Sequence, residues 1–146
     1  MSTPMTHQQF DAFCSQNDFR YYADIEIAPS RKYPAPGVVR PAFRKWRPEW
    51  STGYVYLWVE EDPASKTIKY IGEAGGTMRA RCKQHEAGFR STSGSPTGKK
   101  LAQKILDGVA IGKRYRVYGQ SACAPHSAQN RWIAIIQPPW NTIGVS

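Results

Sequence analysis

The sequence predicts one small α/β (α+β) domain, in which a three-stranded antiparallel sheet is flanked by helices. Two runs rich in β-branched and aromatic residues, 54–59 and 67–72, are separated by Asp-Pro-Ala-Ser, the composition of a tight turn. Several later segments repeat apolar residues at helical spacing. A chain of 146 residues that is 40% hydrophobic can bury one core but is short for two domains.

The remaining elements follow from periodicity and from turn residues. Helices are predicted at residues 7–15, 77–87, 99–107 and 127–136. Gly88 is expected to end the second helix, and the Pro-Pro pair after residue 137 ends the fourth. Residues 114–118 alternate as the third strand of the sheet, and residues 24–28 alternate as a further short strand.

The register of the predicted hairpin follows from its turn. If the turn centres near Pro63, facing residues have numbers that sum to about 126, because the two strands run antiparallel. Tyr56 is then expected opposite Tyr70, and opposed residues share one face of the pair.

The chain is strongly basic, with 20 Lys and Arg against 11 Asp and Glu and a formal net charge of +9. This charge on a small domain indicates a polyanionic partner, most often nucleic acid. No apolar run approaches the roughly 18 residues that a membrane span needs. The first residues also lack the pattern of a signal peptide. A cytoplasmic protein that does not enter the membrane is therefore expected.

Residues 1–50 are predicted to form an N-terminal basic arm, and residues 51–146 the folded domain. The arm contains several prolines, and its aromatic residues alternate with cations, a pattern that can follow a phosphate backbone and stack on bases. An equally weighted alternative is that the aromatic residues pack this segment onto its own domain. The candidate DNA contacts in the arm are Arg31, Lys32, Arg40, Arg44, Lys45 and Arg47.

The segment from about residue 53 to 141 resembles the GIY-YIG endonuclease family, in particular its restriction-type and phage members. The motifs that carry the resemblance are Tyr54-Val55-Tyr56, Tyr70-Ile71-Gly72, Arg81-x-x-x-His85 and a Pro-Pro-Trp-Asn segment that ends at Asn141. Their order and spacing are more specific than any single motif. One departure is that Tyr54 stands at the glycine of the first motif, with Gly53 one place early.

The helix after the hairpin presents two pairs of charged or polar residues. Arg81 and His85 are four residues apart and share one face, whereas Arg79 and Lys83 share a nearly opposite face. Only one pair can face the hairpin tyrosines. We assign Arg81 to the scissile phosphate, because a planar guanidinium can bind two of its oxygens, and we assign His85 a catalytic role. Arg79 and Lys83 are then solvated or contact the DNA backbone.

The resemblance implies roles for three further residues. Tyr56 is the expected general base for the attacking water, with Tyr70 in support, and Asn141 holds the geometry of the site. A free tyrosine has a pKa of about 10, so the base needs a nearby cation or a metal-bound water to act near neutral pH.

The resemblance also implies one divalent cation per active site, Mg²⁺ or Mn²⁺, bound by a glutamate on the last helix twelve positions before the asparagine. That position is Gln129, whose neutral amide is a poor ligand for a hard cation. Either Gln129 is an engineered replacement for glutamate, or the natural protein has lost its metal site and only binds. The first explanation is preferred because the other motif residues are all retained. A shift that places Ala128 at the glutamate position fits the apolar spacing less well.

The sequence therefore predicts a Mg²⁺-dependent endonuclease that cuts double-stranded DNA and leaves 5′-phosphate and 3′-hydroxyl ends. A homodimer or homotetramer is expected, because one site per chain has to serve two strands. Lys99, Lys100 and Lys104 are expected to hold the DNA backbone. The alternatives are a catalytically inactive DNA-binding protein of the same fold and an RNA-binding or RNA-cleaving module.

Overall fold

The structure is a computed structural model that describes residues 2–29, 37–90 and 96–142. Arg31 and Lys32, two of the candidate DNA contacts, lie outside the described residues. The elements in chain order are α1 (His7–Asn17), β1 (Arg20–Pro29), β2 (Val39–Arg44), β3 (Tyr54–Glu61), β4 (Lys66–Ala74), α2 (Met78–Arg90), α3 (Pro96–Ala110), β5 (Arg114–Ser121), α4 (Pro125–Ile136) and a 3₁₀ turn (Pro139–Thr142).

The strands form one antiparallel sheet in the order β2-β1-β5-β3-β4. The predicted fold class is confirmed, but the sheet has five strands and not three. The two additional strands come from the segment predicted as an arm. Strand β1 contains the short strand expected at residues 24–28, whereas β2 was not expected because a proline interrupts its pattern. Pro41 lies within β2, which tolerates a proline because it is an edge strand.

Residues that follow β2 also pack onto the domain. Phe43 is fully buried, and Trp46 and Trp50 pack against the same apolar cluster. Glu49 accepts hydrogen bonds from the backbone N–H groups of Met78, at 2.9 Å, and Arg79, at 3.4 Å, at the start of α2. Of the two alternatives for the arm, packing of its aromatic residues onto the domain is the one that describes residues 39–50.

Apolar clusters cover both faces of the sheet. The front cluster lies between the sheet and helices α2 and α3 and includes Tyr22, Trp58, Phe89, Ile105 and Tyr115. The back cluster lies between the sheet and helices α1 and α4 and includes Phe10, Leu57, Ile71, Tyr118 and Ala128. Because β3 is covered on both faces, its first six residues are all buried and show no alternation.

The register of the hairpin differs from the prediction by two residues. Tyr56 lies opposite Gly72, and Tyr70 lies opposite Trp58. The register shifts at Lys69, which has no partner between the pairs Trp58–Tyr70 and Val59–Ile68. This bulge adds one residue to β4, and the turn is centred after Pro63 and not on it, since Asp62 accepts hydrogen bonds from the backbone of Ala64 and Ser65.

Several helix boundaries also differ, most of all those of α2 and α3. Helix α2 continues through Gly88 to Arg90, and α3 begins at Pro96, earlier than predicted. Gly88 lies against Gly98, where a side chain at residue 98 would come within 2.8 Å of the Gly88 carbonyl oxygen. The two glycines thus allow close packing of α2 and α3, and Gly88 does not end the helix. In the described ranges, the helices are too short or too polar to cross a membrane.

Candidate active site

Tyr56 places its ring across the neighbouring strand. A methyl group at Gly72, its cross-strand partner, would lie 2.2 Å from the Tyr56 hydroxyl oxygen. The third residue of the Tyr-Ile-Gly motif therefore has to be glycine, because any side chain there would displace the phenol. The Tyr56 hydroxyl lies 2.5 Å from Nε2 of His85, within hydrogen-bonding distance.

His85 comes from the buried face of α2, which also carries Met78, Cys82 and Phe89. Its ring lies among aromatic residues, with ring centroids 4.8 Å from Trp58 and 5.9 Å from Tyr70. Burial and, to a smaller extent, the positive charge of Arg81 together lower the pKa of His85 to about 3. The imidazole is therefore neutral at physiological pH and can accept a hydrogen bond at Nε2.

Tyr56, Tyr70 and His85 form a tyrosine pocket, and both of its phenols are also neutral. Burial raises the pKa of Tyr56 well above its usual value of 10.0, and the neighbouring Tyr70 raises it further, whereas Arg81 opposes the shift. Burial also raises the pKa of Tyr70, and Arg81 again opposes it. The pocket thus holds a neutral phenol hydrogen-bonded to a neutral imidazole, and the positive charge of Arg81 shifts the pKa of each group.

Arg81 lies half-buried beside the pocket on α2. Its Nε donates to the backbone carbonyl of Glu73 at 3.2 Å, and Nη1 donates to the side chain of Gln84 at 3.0 Å. The structure therefore brings Arg81 and His85 to the hairpin tyrosines, as the helical spacing predicts. Arg79 lies elsewhere on α2, with its guanidinium 4.9 Å from the ring centroid of Trp46, and Lys83 is exposed.

Asn141 binds the outer edge of β4. Its Oδ1 accepts from the backbone N–H of Ile71 at 2.8 Å, and its Nδ2 donates to the carbonyl of the same residue at 2.8 Å. Arg81 contacts the same edge two residues further along, at Glu73, about 7 Å away by strand geometry. The 3₁₀ turn and α2 therefore meet along one edge of the sheet, next to the tyrosine pocket.

Helix α4 does not supply a hard-cation site at the expected position. Gln129 is half-buried, and its side chain makes no hydrogen bond to another described residue. Ala128 is 7% exposed and packs in the back cluster, so a longer side chain there would point into the core. The helix sequence contains no carboxylate. The residues at this position do not fit Mg²⁺, which prefers carboxylate oxygens.

One carboxylate that the sequence reasoning missed lies on β4. The Oε1 atom of Glu73 is 3.1 Å from Nδ1 of His126, near the start of α4, and Nε2 of His126 is 3.3 Å from the amide nitrogen of Asn130. Glu73 directly follows the Tyr-Ile-Gly motif. The alternation of β4 was the available signal, since it turns the residue after Gly72 toward the helix on the back face.

The remaining candidate DNA contacts differ in the interactions that they make within the chain. Lys45 lies 3.5 Å from a carboxylate oxygen of Asp24 and 3.4 Å from one of Glu26. Arg47 lies over the ring of Tyr21, 5.2 Å from its centroid. Arg40 and Arg44 each donate to a carbonyl in their own strand. Lys99, Lys100 and Lys104 are exposed on α3.

The α+β fold described above matches the fold of a solved GIY-YIG nuclease. The structure is similar to that of a glutamate-to-alanine mutant of bacteriophage T4 EndoII, a phage endonuclease of the GIY-YIG type. The TM-score is 0.65 at 14% sequence identity, and the match covers 90% of this chain and 97% of EndoII. The sequence itself matches no family model and no curated protein. At this identity the likeness shows the fold.

Proposed function

We propose that this protein is a DNA endonuclease that hydrolyses phosphodiester bonds of duplex DNA and leaves 5′-phosphate and 3′-hydroxyl ends. The observation that carries the proposal is the hydrogen-bonded Tyr56–His85 pair beside Arg81, at the edge of β4. The net charge of +9 and the likeness in fold to a phage endonuclease support it.

Arg81 is the proposed phosphate ligand. Hydrolysis requires neutralisation of the charge that develops on the phosphoryl oxygens, and a guanidinium can donate to two of them at once. Its hydrogen-bond partners include a backbone carbonyl and a neutral amide, and among the described residues it forms no ion pair with a carboxylate. A phosphodiester can therefore bind the Arg81 guanidinium without first breaking an ion pair to a described carboxylate.

Tyr56 is the proposed general base. The water oxygen forms a bond to phosphorus while the bond to the 3′ oxygen breaks. One water proton passes to the Tyr56 oxygen, and the phenol proton passes to Nε2 of His85. The 3′ oxygen takes a proton from solvent, and after the reaction the phenol regains its proton from His85 while the proton taken from the water leaves Tyr56 for solvent, so that both side chains return to their neutral forms. The 2.5 Å contact between phenol and imidazole makes this relay possible without a free phenolate.

Substrate binding changes the basicity of His85 in the required direction. Burial is the larger cause of its low pKa, and Arg81 is the second. A phosphate anion beside Arg81 offsets the second cause and adds negative charge near the imidazole. The pKa of His85 therefore rises when DNA is bound, which favours transfer of the phenol proton.

Plasmid cleavage tests the proposal. Supercoiled DNA is incubated with the chain as it stands and with Gln129→Glu, each with Mg²⁺ and with Mn²⁺. We expect nicked DNA, and more of it with Gln129→Glu, if the active form carries a glutamate at this position. Tyr56→Phe and Arg81→Ala should each lower the rate by about 100-fold or more while DNA is still bound. The matched control is Arg79→Ala, which removes the same charge from another face of α2.

The competing function is DNA binding without catalysis, which the neutral side chain at position 129 favours. If both the unchanged chain and Gln129→Glu bind DNA but leave many sequences uncut, the endonuclease proposal fails and the binding protein remains. Equal losses from Arg79→Ala and Arg81→Ala would instead show that charge alone, and not the tyrosine pocket, is responsible for activity.

We further propose that two or more copies act together, since one site per chain has to cut two strands. Sedimentation of the protein with a short duplex measures the number of copies. Nicks without linear product, from a protein that stays monomeric on DNA, would contradict this part of the proposal.

A further inference from the structure

Gln84 is exposed on α2 next to Arg81, and the proposed reaction gives it no role. Its amide oxygen accepts a hydrogen bond from Nη1 of Arg81 at 3.0 Å. The Nε atom of the same guanidinium donates to the backbone carbonyl of Glu73 at 3.2 Å. One contact therefore comes from the helix and the other from strand β4. Together they use two of the five N–H groups of the guanidinium, so N–H groups remain for a phosphate.

Both of these acceptors are uncharged, although a carboxylate is close by. Residues three positions apart on a helix commonly form ion pairs, so a glutamate at position 84 would pair with Arg81. The glutamine supplies an acceptor oxygen of almost the same shape without the charge. Glu73 contributes only its backbone carbonyl, because its Oε1 atom lies 3.1 Å from Nδ1 of His126 on α4. The two contacts thus orient Arg81 without neutralising it.

We propose that Gln84 is a positioning residue, which fixes the direction of the Arg81 guanidinium and leaves its full charge for the scissile phosphate. The inference rests on the proposed function, because it concerns the phosphate ligand of that reaction. An arginine side chain that is already held loses less freedom when it binds the reacting phosphate than one that rotates freely. The contact should therefore favour the reaction itself more than the binding of DNA, to which many cations contribute.

Two replacements of Gln84 separate orientation from charge. Gln84→Met keeps the length of the side chain and removes the acceptor, whereas Gln84→Glu keeps the acceptor and adds a charge. Methionine, glutamate and glutamine have similar helix propensities, so we expect α2 to form in all three chains. Gln9→Glu is the matched control. Gln9 is also an exposed glutamine, and its amide oxygen accepts a hydrogen bond from the backbone N–H of Thr6, at the start of α1.

Rotation of the Arg81 guanidinium about its Nε–Cζ bond is the first measurement. It is followed in the DNA-free protein by nuclear magnetic resonance of the arginine side-chain nitrogens, and the Arg81 signals are those missing from Arg81→Ala. We expect rotation to be about fivefold faster in Gln84→Met, the factor that one ordinary hydrogen bond supplies. Rotation should be no faster in Gln84→Glu. A side chain that only supported the helix would not change this rate.

Plasmid cleavage is the second measurement, made in whichever of the unchanged chain and Gln129→Glu cuts DNA. We expect Gln84→Met to lower kcat by about three- to tenfold and to change KM by less than about twofold. Gln84→Glu should lower kcat/KM by about tenfold or more, because its carboxylate pairs with Arg81 and repels the phosphate. Gln9→Glu, which adds the same charge on α1, should stay within about twofold of its parent.

The inference is overturned if Gln84→Met leaves the rotation of Arg81 unchanged, or if Gln84→Glu cleaves as fast as its parent. The rotation rate separates this result from the proposed function. If neither parent cuts DNA, the endonuclease proposal fails, whereas faster rotation in Gln84→Met still supports the orienting contact. If a parent cuts DNA and rotation is the same with and without the glutamine, the endonuclease remains and the positioning role is rejected.

Discussion

Gly72 and Tyr56 form one functional unit although they lie on different strands. The glycine provides the space in which the phenol crosses β4 and reaches His85. The predicted register places Tyr56 opposite Tyr70, but the residue opposite Tyr56 is the glycine. Tyr70 instead pairs with Trp58 and forms part of the aromatic surroundings of His85.

Replacement of Gly72 by alanine should damage the site and the fold together. The new methyl group would lie 2.2 Å from the Tyr56 hydroxyl, so the ring has to move away from His85. We expect a loss of about 1–3 kcal/mol in the free energy of unfolding, as for other overpacked cores, and loss of cleavage. Urea denaturation and plasmid nicking measure the two effects. Gly75→Ala, where no atom lies within 4 Å, should change neither.

The buried neutral His85 predicts a stability that falls in acid. Its pKa is about 3 in the folded chain, against about 6.5 when unfolded. Between these values only the unfolded chain binds the proton, so lower pH favours unfolding, by about 1.4 kcal/mol per pH unit from this group. Urea denaturation at pH 7 and pH 4.5 measures this effect. His85→Gln should reduce the difference by about 2 kcal/mol or more, and an unchanged difference would contradict the burial of a neutral ring.

At the scale of elements, α2 is positioned by a residue from the segment expected to be an arm. Glu49 accepts from the first N–H groups of the helix and also from the hydroxyl of Tyr22 on β1, at 2.5 Å. It therefore joins the helix that carries Arg81 and His85 to strand β1 of the sheet. Its negative charge also lies at the positive end of the helix dipole.

Glu49→Gln keeps the shape of this side chain and removes its charge. We expect a loss of about 1–2 kcal/mol in the free energy of unfolding, within the range measured for helix caps, because two backbone N–H groups lose a charged acceptor. Thermal and urea denaturation check the value. Glu26→Gln, which removes a carboxylate paired with Lys45 at the surface, is the control and should cost about 0.5 kcal/mol or less.

Asn141 joins the C-terminal segment to β4. In Asn141→Ala both hydrogen bonds to Ile71 are lost, and each is worth about 1 kcal/mol. We expect a loss of about 1–2 kcal/mol in stability, faster hydrogen exchange at the Ile71 amide, and slower cleavage with DNA affinity retained. Unchanged exchange at this amide would show that the edge is held by other contacts.

The sequence was informative where contacts are local and less so where they are distant. Alternation and turn residues identified the hairpin, and helical spacing correctly placed Arg81 and His85 on the face of α2 that meets it. The bulge at Lys69 left no clear sign in the sequence, so the register was wrong by two residues. The insertion of β5 between β1 and β3 depends on pairings between distant residues, which local patterns do not encode.

At the scale of the whole molecule, the excess positive charge predicts DNA binding that weakens with salt. Lys83 and Lys104 are exposed on α2 and α3. If each contacts a phosphate, Lys83→Gln and Lys104→Gln should each reduce the slope of log affinity against log salt by about 0.9. Fluorescence anisotropy between about 50 and 200 mM salt measures this slope.

Lys45 provides the control for this measurement. It is exposed, but its ammonium lies between Asp24 and Glu26, so few counterions can be released there. Lys45→Gln should therefore change the slope by less than either of the other variants. Equal changes from all three lysines would indicate that the net charge acts as a whole and that no particular surface faces the DNA.

Side chains already occupy backbone groups on both outer strands of the sheet. Glu86 accepts from the N–H of Phe43 on β2, and Asn141 satisfies both groups of Ile71 on β4. A second copy therefore cannot extend the sheet at these positions by strand addition. If copies assemble on DNA as proposed, a contact through helices or loops leaves these hydrogen bonds intact, whereas a sheet continuous across both copies at these positions would have to break them.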